Sequence, residues 1–374
     1  MRHNVKIETL SSVHVGSGEK LMNNCDYIVD KDGVYIISPE KVGQIIGTDQ
    51  LTIDKWVAAI KNNSFNDFLA THTNGASKEQ FSSRVLNNWA TGGFKEGSTL
   101  ATCIHDGRGV PYIPGSTIKG AFRTAITAIL MQKIVKDNQN LPIKQAENKL
   151  KRLFNTDEKQ NPQFDVFRFL SVGDAYFEEG CEAAVKLVLL NQRESEDLID
   201  MEKTPQIVEV IDKDCDSEFT IVLDKEKYDK VSQNEISQKY QIASFPKEMS
   251  SFDSLFRCIN EHTKKLVDSE ISYWGDYIRE CDKTGAEYYI ENLKAIKDVV
   301  ESCSEGKECV LRLGQGIGWR FITGAWAENL ETFEDFIPKI RRNNNNYKQY
   351  DFPKSRRIDD ESYLLGFVKL TLKD

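Results

Sequence analysis

The sequence predicts an α+β protein, and three patterns carry that reading. Short alternating strands recur at both ends of the chain, a long amphipathic helix fills 116–136, and a second strongly helical stretch runs from Phe252 to about Cys303. Strand–helix–strand units with helices gathered on one face of small antiparallel sheets are the α+β arrangement.

The elements follow in order. Val5 to Leu10 alternates as a strand, and Cys25–Val29 with Val34–Ile37 reads as a hairpin about Asp30-Lys31-Asp32-Gly33. The acids there serve an Asp-Gly turn rather than a metal. Thr52 to Trp89 is helical in pattern and interrupts the strand series, so about 50–95 is an insertion. Pro114-Gly115 then stops an extended segment. Ser116 or Thr117 is placed to N-cap the helix whose apolar stripe is Ile118, Phe122, Ala125 and Ile129. A strand region around Asp174 ends near Leu190 and completes a first unit, 1–192.

The charged, poorly apolar segment 193–206 reads as a linker to a second unit, 207–374. Ile207–Ile211 and Phe219–Leu223 are strands joined by Asp212-Lys213-Asp214-Cys215-Asp216-Ser217-Glu218. Those acids mimic half of an EF-hand loop, but Ser217 replaces the required glycine and Leu223 stands where the bidentate Glu belongs, so the segment is a hairpin turn. Two helices follow, broken near Asp282-Lys283-Thr284-Gly285. A glycine-rich loop, a short helix, a basic strip and a last strand finish the chain.

With 374 residues, 10% aromatic and 29% charged, the composition is that of an ordinary globular protein large enough for two domains. No apolar run approaches the ~18 residues of a membrane span. Met1 to Glu8 shows no signal-peptide core, so a cytoplasmic protein is expected. The eight cysteines are scattered singly; the nearest two, Cys303 and Cys309, are too far apart for a zinc hook and have no histidine beside them. Reduced thiols, no metal and no cofactor are expected.

A net charge of −9 argues against a generic nucleic-acid binder, since phosphate contacts need Lys and Arg. One segment departs from that average. Between Lys339 and Arg357 seven bases (Lys339, Arg341, Arg342, Lys348, Lys354, Arg356, Arg357) face one acid, Asp351. A basic strip on an acidic body suits RNA held along one groove, although Asn343 to Asn346 also reads as a solvated loop that orders on binding.

Two further places point to phosphate. Lys119 and Arg123 sit four apart on one face of the helix that opens after Pro114. Like charges there repel by roughly 0.2–0.5 kcal/mol unless an anion bridges them, and a helix N-terminus is already an anion site. Gly120 inside that helix costs about 1 kcal/mol relative to Ala, which hints at a closely passing backbone. It is not a Walker A loop, because Lys119 precedes Gly120. Gly314, Gly316 and Gly318 at alternate positions leave backbone N–H groups open to phosphate, with Arg312 and Arg320 flanking. The spacing lacks the last glycine of a dinucleotide fingerprint.

The stretch Tyr112-Ile-Pro-Gly-Ser-Thr-Ile-Lys-Gly-Ala-Phe-Arg123 resembles the signature of the RAMP superfamily of CRISPR RNA-binding proteins. Further segments resemble that family in the right order. Ser11 to Gly18 is similar to its His-Ile-Gly-Ser-Gly turn, Phe169 to Ala175 to its Leu-x-Val-Ser-Asp-Ala strand, Leu313 to Trp319 to its glycine-rich loop, and Leu364 to Leu370 to its closing strand. Gly173 departs from the family's serine, so no serine role is carried to that position.

The resemblance implies two RRM-like, ferredoxin-type modules with a helical insertion and a C-terminal glycine-rich loop. No RNP1 signature is present, so RNA would be held by loops and backbone amides. It further implies a non-catalytic crRNA-binding subunit of a type III-A (Csm) effector complex, most like the subunit capping the filament at the 3′ side of the guide. Gly16, Ser17, Gly18, Gly115, Ser116 and Thr117 join the RNA-binding set. The implied partners are crRNA and the neighbouring backbone RAMP subunit, with target RNA and crRNA-trimming nucleases as further ones. The implied role is in crRNA maturation and antiviral defence.

Two rival readings differ in class. One is a guide-RNA endoribonuclease with His14 as general base, as some CRISPR-processing RAMP enzymes use a histidine; the other is a 5′-end capping RAMP subunit of a type III complex. Asp26 falls where filament-backbone relatives carry an acid for metal-assisted cleavage, but Asn23-Asn24-Cys25-Asp26-Tyr27 does not clearly match theirs. His14 has no evident catalytic partner in the sequence, so the chain is expected not to be an enzyme.

Overall fold

Alternation sets the first strand, and its partners come from the far end of the chain. In the computed structural model, which describes residues 1–373 except 32, 63, 74, 91, 96, 139, 158, 195, 203, 234–242, 335–336 and 338–349, β1 (Arg2–Thr9) is the centre of a five-stranded antiparallel sheet. It lies between β13 (Asp216–Leu223) and β16 (Phe367–Lys373), with β8 (Leu170–Val172) and β14 (Glu308–Arg312) at the edges. Val5 and Ile7 face inward with Phe219, Ile221, Leu311, Val368 and Leu370. Two helices add to that core: α5 (Gly115–Asp137) through Ile118, Phe122 and Ala125, and α8 (Phe252–Cys281) through Leu255, Phe256 and Ile259.

The second sheet is mixed, in the order β2 (Gly16–Met22), β6 (Thr99–Cys103), β12 (Gln206–Ile211), β10 (Glu182–Asn191), β5 (Ser82–Asn88), β4 (Val34–Ile37), β3 (Tyr27–Val29). The short strands β11 (Ile199–Asp200) and β15 (Ser355–Asp359) also pair with β10. β10 is buried almost throughout, as its apolar run requires. A small pair, β7 (Tyr112–Ile113) with β9 (Ala175–Tyr176), delivers the chain to α5. Among the described residues no helix is long and apolar enough to cross a membrane.

The helical stretches of the insertion are α1 (Pro39–Ile46), capped by Ser38, α2 (Gln50–Lys61), capped by Asp49, α3 (Phe65–His72) and α4 (Lys78–Phe81). They close over the β3–β4 hairpin through Phe65, Phe68, Leu69 and Phe81. The predicted insertion ran too far: Ser82–Asn88 is a strand, held by β4 on one side and β10 on the other. Helix α6 (Ile143–Phe154) follows α5, and α7 (Lys225–Ser232) follows β13. The predicted break between the late helices is real. Asp282, left-handed at φ 51°, ends α8, and α9 (Glu287–Ser302) begins after Gly285.

Three further expectations change. Ile207–Ile211 and Phe219–Leu223 do not form a hairpin; β12 and β13 belong to different sheets, and the acidic turn between them is a crossing point. The segment 193–206 is structured in part, since β11 pairs with β10. Strands from both halves of the chain share the five-stranded sheet, because β1 finds its backbone partners in β13 and β16. Between β14 and residue 335 the described residues form 3-10 turns, Trp319–Phe321, Thr323–Asn329 and Glu331–Phe333.

Candidate functional site

Two glycine motifs three hundred residues apart meet at one histidine. After β1 the chain passes Val13, which bridges to Ile211, and enters the Gly16-Ser17-Gly18 turn at the exposed start of β2. The Ser17 hydroxyl lies 2.6 Å from that of Thr102 and accepts the Glu19 N–H at 3.0 Å, and Gly18 is left-handed at φ 89°. After β14, Gly314, Gly316 and Gly318 all have positive φ, 87°, 81° and 79°. Gly314 is also pressed against the other loop: a Cβ there would sit 2.5 Å from the His14 carbonyl oxygen. That carbonyl accepts the Gln315 N–H at 2.8 Å.

His14 is therefore the pin between the loops. Its ring is 1% exposed, and Nδ1 donates to the Glu209 carbonyl at 2.6 Å. The Gln315 side chain bonds the ring as well. Burial lowers its pKa against the upward pull of those two bonds, so the imidazole is neutral at pH 7. A ring sealed and bonded in this way braces two loops and does not face solvent. Asp26, the other catalytic candidate, accepts the Met22 N–H at 2.8 Å and closes the turn between β2 and β3.

The start of α5 differs from expectation. Pro114, not Ser116 or Thr117, is the N-cap residue, and Ser116 and Thr117 lie in the first turn. The Gly115 N–H donates to Asp174 Oδ1 at 2.7 Å, so a carboxylate of the chain itself takes part of the helix N-terminus. The close backbone approach belongs to Gly115, whose Cβ would land on the Val172 carbonyl, whereas Gly120 has open space around it. Lys119 is half-buried; burial lowers its pKa, with Asp165 raising it and Arg123 lowering it. Arg123 is engaged: it pairs with Asp165 at 2.8 Å and lies over the rings of Phe154 and Phe167 at 4.9 and 4.8 Å.

The flanking arginines are corrected in the same way. Arg356, 3% exposed, grips Glu270 through two bonds of 2.6 Å, and Arg320 reaches the same carboxylate at 2.8 Å and Glu328 at 3.2 Å. Arg312, 7% exposed, donates to the Leu365 carbonyl at 2.7 Å between the rings of Phe321 and Phe367. These three guanidiniums are bonded to groups of the protein itself. Arg357 is different. It is half-buried on β15, its stem lies beside Gly316, and one guanidinium nitrogen donates to Thr204 O at 2.8 Å. Arg341 and Arg342 lie outside the described residues.

The start of α5 and the glycine loop share a neighbourhood. The hydroxyls of Thr124 on α5 and Thr323, just past the glycine loop, are 2.7 Å apart. On the other side the Val15 carbonyl accepts from Ile104, whose own carbonyl accepts from Tyr112 on the strand leading to α5. The surface assembled from these pieces offers the exposed Gly16–Gly18 turn, the partly exposed Gly316 and Gly318, Arg357, and further along α5 the exposed Ser116 and Gly120 with Lys119.

Sequence reasoning missed the acids that hold this surface in place, Asp174, Glu209 and Glu270. Glu209 was legible as a lone acid in the apolar run Ile207–Ile211. It is fully buried, bonded to Arg84 at 2.9 and 3.0 Å and to the Cys103 N–H at 2.9 Å. His105, Glu182 and Glu209 bring ligand-type atoms within 4.8 Å of one another. Arg84 already occupies both Glu209 oxygens and His105 bonds Glu182 at 2.6 Å, so the cluster is an ion-pair brace across β5, β6, β10 and β12.

No curated relative matches the chain by sequence. Solved structures do match by shape. A chain of a Csm–crRNA–target RNA ternary complex of a type III-A CRISPR-Cas system superposes with a TM-score of 0.70 at 18% identity, covering 100% of both chains. The T. onnurineus Csm5 crystal structure gives 0.64 at 17% identity, covering 97% of this chain and 99% of that one. At such identities the likeness speaks for the fold. The sequence profile of the RAMP superfamily matches residues 6–314, more than half of the chain, and the protein belongs to that superfamily.

Proposed function

We propose that the protein is a non-catalytic crRNA-binding subunit of a type III-A CRISPR interference complex. It caps the 3′ side of the guide, packs against the neighbouring backbone RAMP subunit, and serves crRNA maturation and antiviral defence. The observation that carries the reading is the joining of the Gly16–Gly18 turn and the Gly314–Gly318 loop at His14. Positive-φ glycines expose backbone amides there, and backbone amides grip sugar–phosphate without reading bases. Full-length likeness to a chain of a Csm–crRNA–target RNA complex supports the assignment of complex.

The non-catalytic reading is supported by the placement of His14, neutral and sealed between the loops. The rival endoribonuclease needs that ring to reach a ribose hydroxyl. Purified protein is expected to leave a guide precursor and a complementary target uncut, with or without Mg²⁺ or Mn²⁺. Cleavage abolished by His14→Ala would install the rival; metal-dependent cleavage lost in Asp26→Ala would indicate a filament-type site. The position on the guide is tested by reconstituting the complex with this subunit labelled and mapping the label. A label at the crRNA 5′ end overturns the 3′ assignment.

A further inference from the structure

The wall that carries the glycine turn has an opposite side. Leu10, Ser11 and Ser12, immediately before Val13, line a pocket of about 370 Å³ at the crossing between the two sheets. Its floor is apolar, from Leu10, Val185, Ile296 and Leu364. Its mouth is acidic, with Asp212 and Asp214 from the β12–β13 crossing and Asp359, Asp360 and Glu361 from the turn after β15. Lys213 is the lone base among the lining residues. Two aromatic side chains stand at the rim and are open to solvent, Trp89 at 53% and Tyr363 at 47%.

The rim is held in shape. Trp89 Nε1 donates to Asp212 at 2.7 Å, and Ser12 holds the other Asp212 oxygen at 3.3 Å. The backbone N–H groups of Glu361 and Tyr363 donate to Asp359 at 3.0 and 2.7 Å. A shallower hollow continues from the pocket past Tyr363, Asn292 and Glu361 to Glu291 and Tyr288, which is 65% exposed. The result is a groove with an apolar floor, an acidic mouth and a row of exposed rings.

The geometry points to a docking groove for a basic, extended segment of a partner protein, with an Arg or Lys side chain in the pocket and a second cation along the Tyr363–Tyr288 extension. Charge complementarity selects this occupant. A long aliphatic stem suits the floor, the cationic head suits the carboxylates, and exposed Trp and Tyr faces attract cations. Phosphate is repelled by the same acids, so this face is not a continuation of the RNA surface. Burial pushes the Asp359 carboxyl up to about 7 against its backbone bonds, and a cation beside it would relieve that cost.

The test uses the full chain and a fluorescein-labelled heptapeptide alternating Gly with Arg or Lys, against the same peptide with Glu at the charged positions, read by anisotropy. The basic peptide should bind saturably and the acidic one should not. The variant Asp214→Asn, Asp360→Asn, Glu361→Gln should weaken binding at least tenfold with a native circular dichroism spectrum. Asn tolerates the left-handed backbone at 214, where φ is 62°. Tyr363→Ala, which leaves the charge unchanged, should weaken it severalfold. Neutralising three exposed acids on the helical insertion, Glu40→Gln, Asp54→Asn and Asp67→Asn, should change it less than twofold. Equal losses in the two triple variants would mean attraction to the acidic body alone and would overturn the groove. So would an absence of saturable binding, or an RNA oligonucleotide whose binding the pocket variant abolishes.

Discussion

Asp174 Oδ1 accepts the backbone N–H of Gly115 at 2.7 Å, across 59 positions of sequence. The bond ties two motifs that are far apart in the chain and orients the first turn of α5 from the strand beside it. It also fills part of the helix N-terminus with a carboxylate, so an anion proposed to bind this helix would meet Ser116, Lys119 and Gly120 rather than the Gly115 N–H.

Removing that carboxylate should loosen the start of the helix. Asp174→Ala is expected to lower stability by about 1 kcal/mol, the usual worth of a capping oxygen, and Asp174→Asn by less. Urea denaturation measures both. Gly115→Ala should cost more than either, because the added methyl meets the Val172 carbonyl.

Lys119 and Arg123, alike in sequence, should separate by experiment. Lys119→Glu is expected to weaken guide-RNA retention while leaving the melting temperature within a few degrees of the parent. Arg123→Ala should cost about 1 kcal/mol of stability, mostly from its two ring contacts, since its ion pair with Asp165 is partly open to solvent. An unchanged RNA affinity in folded Lys119→Glu would remove this helix from the RNA surface.

Glu270 predicts a pH dependence. Burial works to raise its pKa, but Arg356, Arg320 and the Tyr289 hydroxyl outweigh it and hold the carboxyl down at about 2. The folded value lies below the ordinary glutamate value of about 4.3. Its stabilising share is therefore full above that value and is lost as pH falls toward 2. Glu270→Gln should destabilise the protein by about 3–5 kcal/mol at pH 7, because the buried Arg356 loses its counter-charge and the partly buried Arg320 keeps only Glu328. The parent's stability should fall more steeply than the variant's between pH 5 and pH 3, measured by chemical denaturation. Parallel profiles would count against the assigned role.

Salt dependence tests the basic strip. Binding held by phosphates should weaken steeply with salt and differ little between guides of unrelated sequence. Arg357→Ala, combined with Arg341→Ala and Arg342→Ala, should flatten the slope of log K against log salt by up to about 0.7 for each phosphate no longer neutralised. Arg356→Ala belongs to a different class and should unfold or weaken the protein, since that side chain is 3% exposed and paired with Glu270. Gly316→Val should lower affinity with little change of slope, through backbone strain at φ 81° and a blocked approach.

The sequence by itself determined the α+β class, the long helix after Pro114, the β3–β4 hairpin, the break at Asp282 and the family pattern. Each depends on local spacing: a 3.6-residue stripe, a two-residue alternation, or a turn residue whose backbone freedom is intrinsic. Tertiary structure decided which strands pair, and so split β12 from β13 into two sheets and drew Ser82–Asn88 out of the helical insertion into a ladder. It also decided which charges face outward. Arg356 and Arg357 are adjacent in the basic strip, yet strand alternation turns one toward Glu270 and leaves the other beside Gly316. A positive charge is readable from sequence, but its partner is set by whichever buried carboxylate the fold brings within reach.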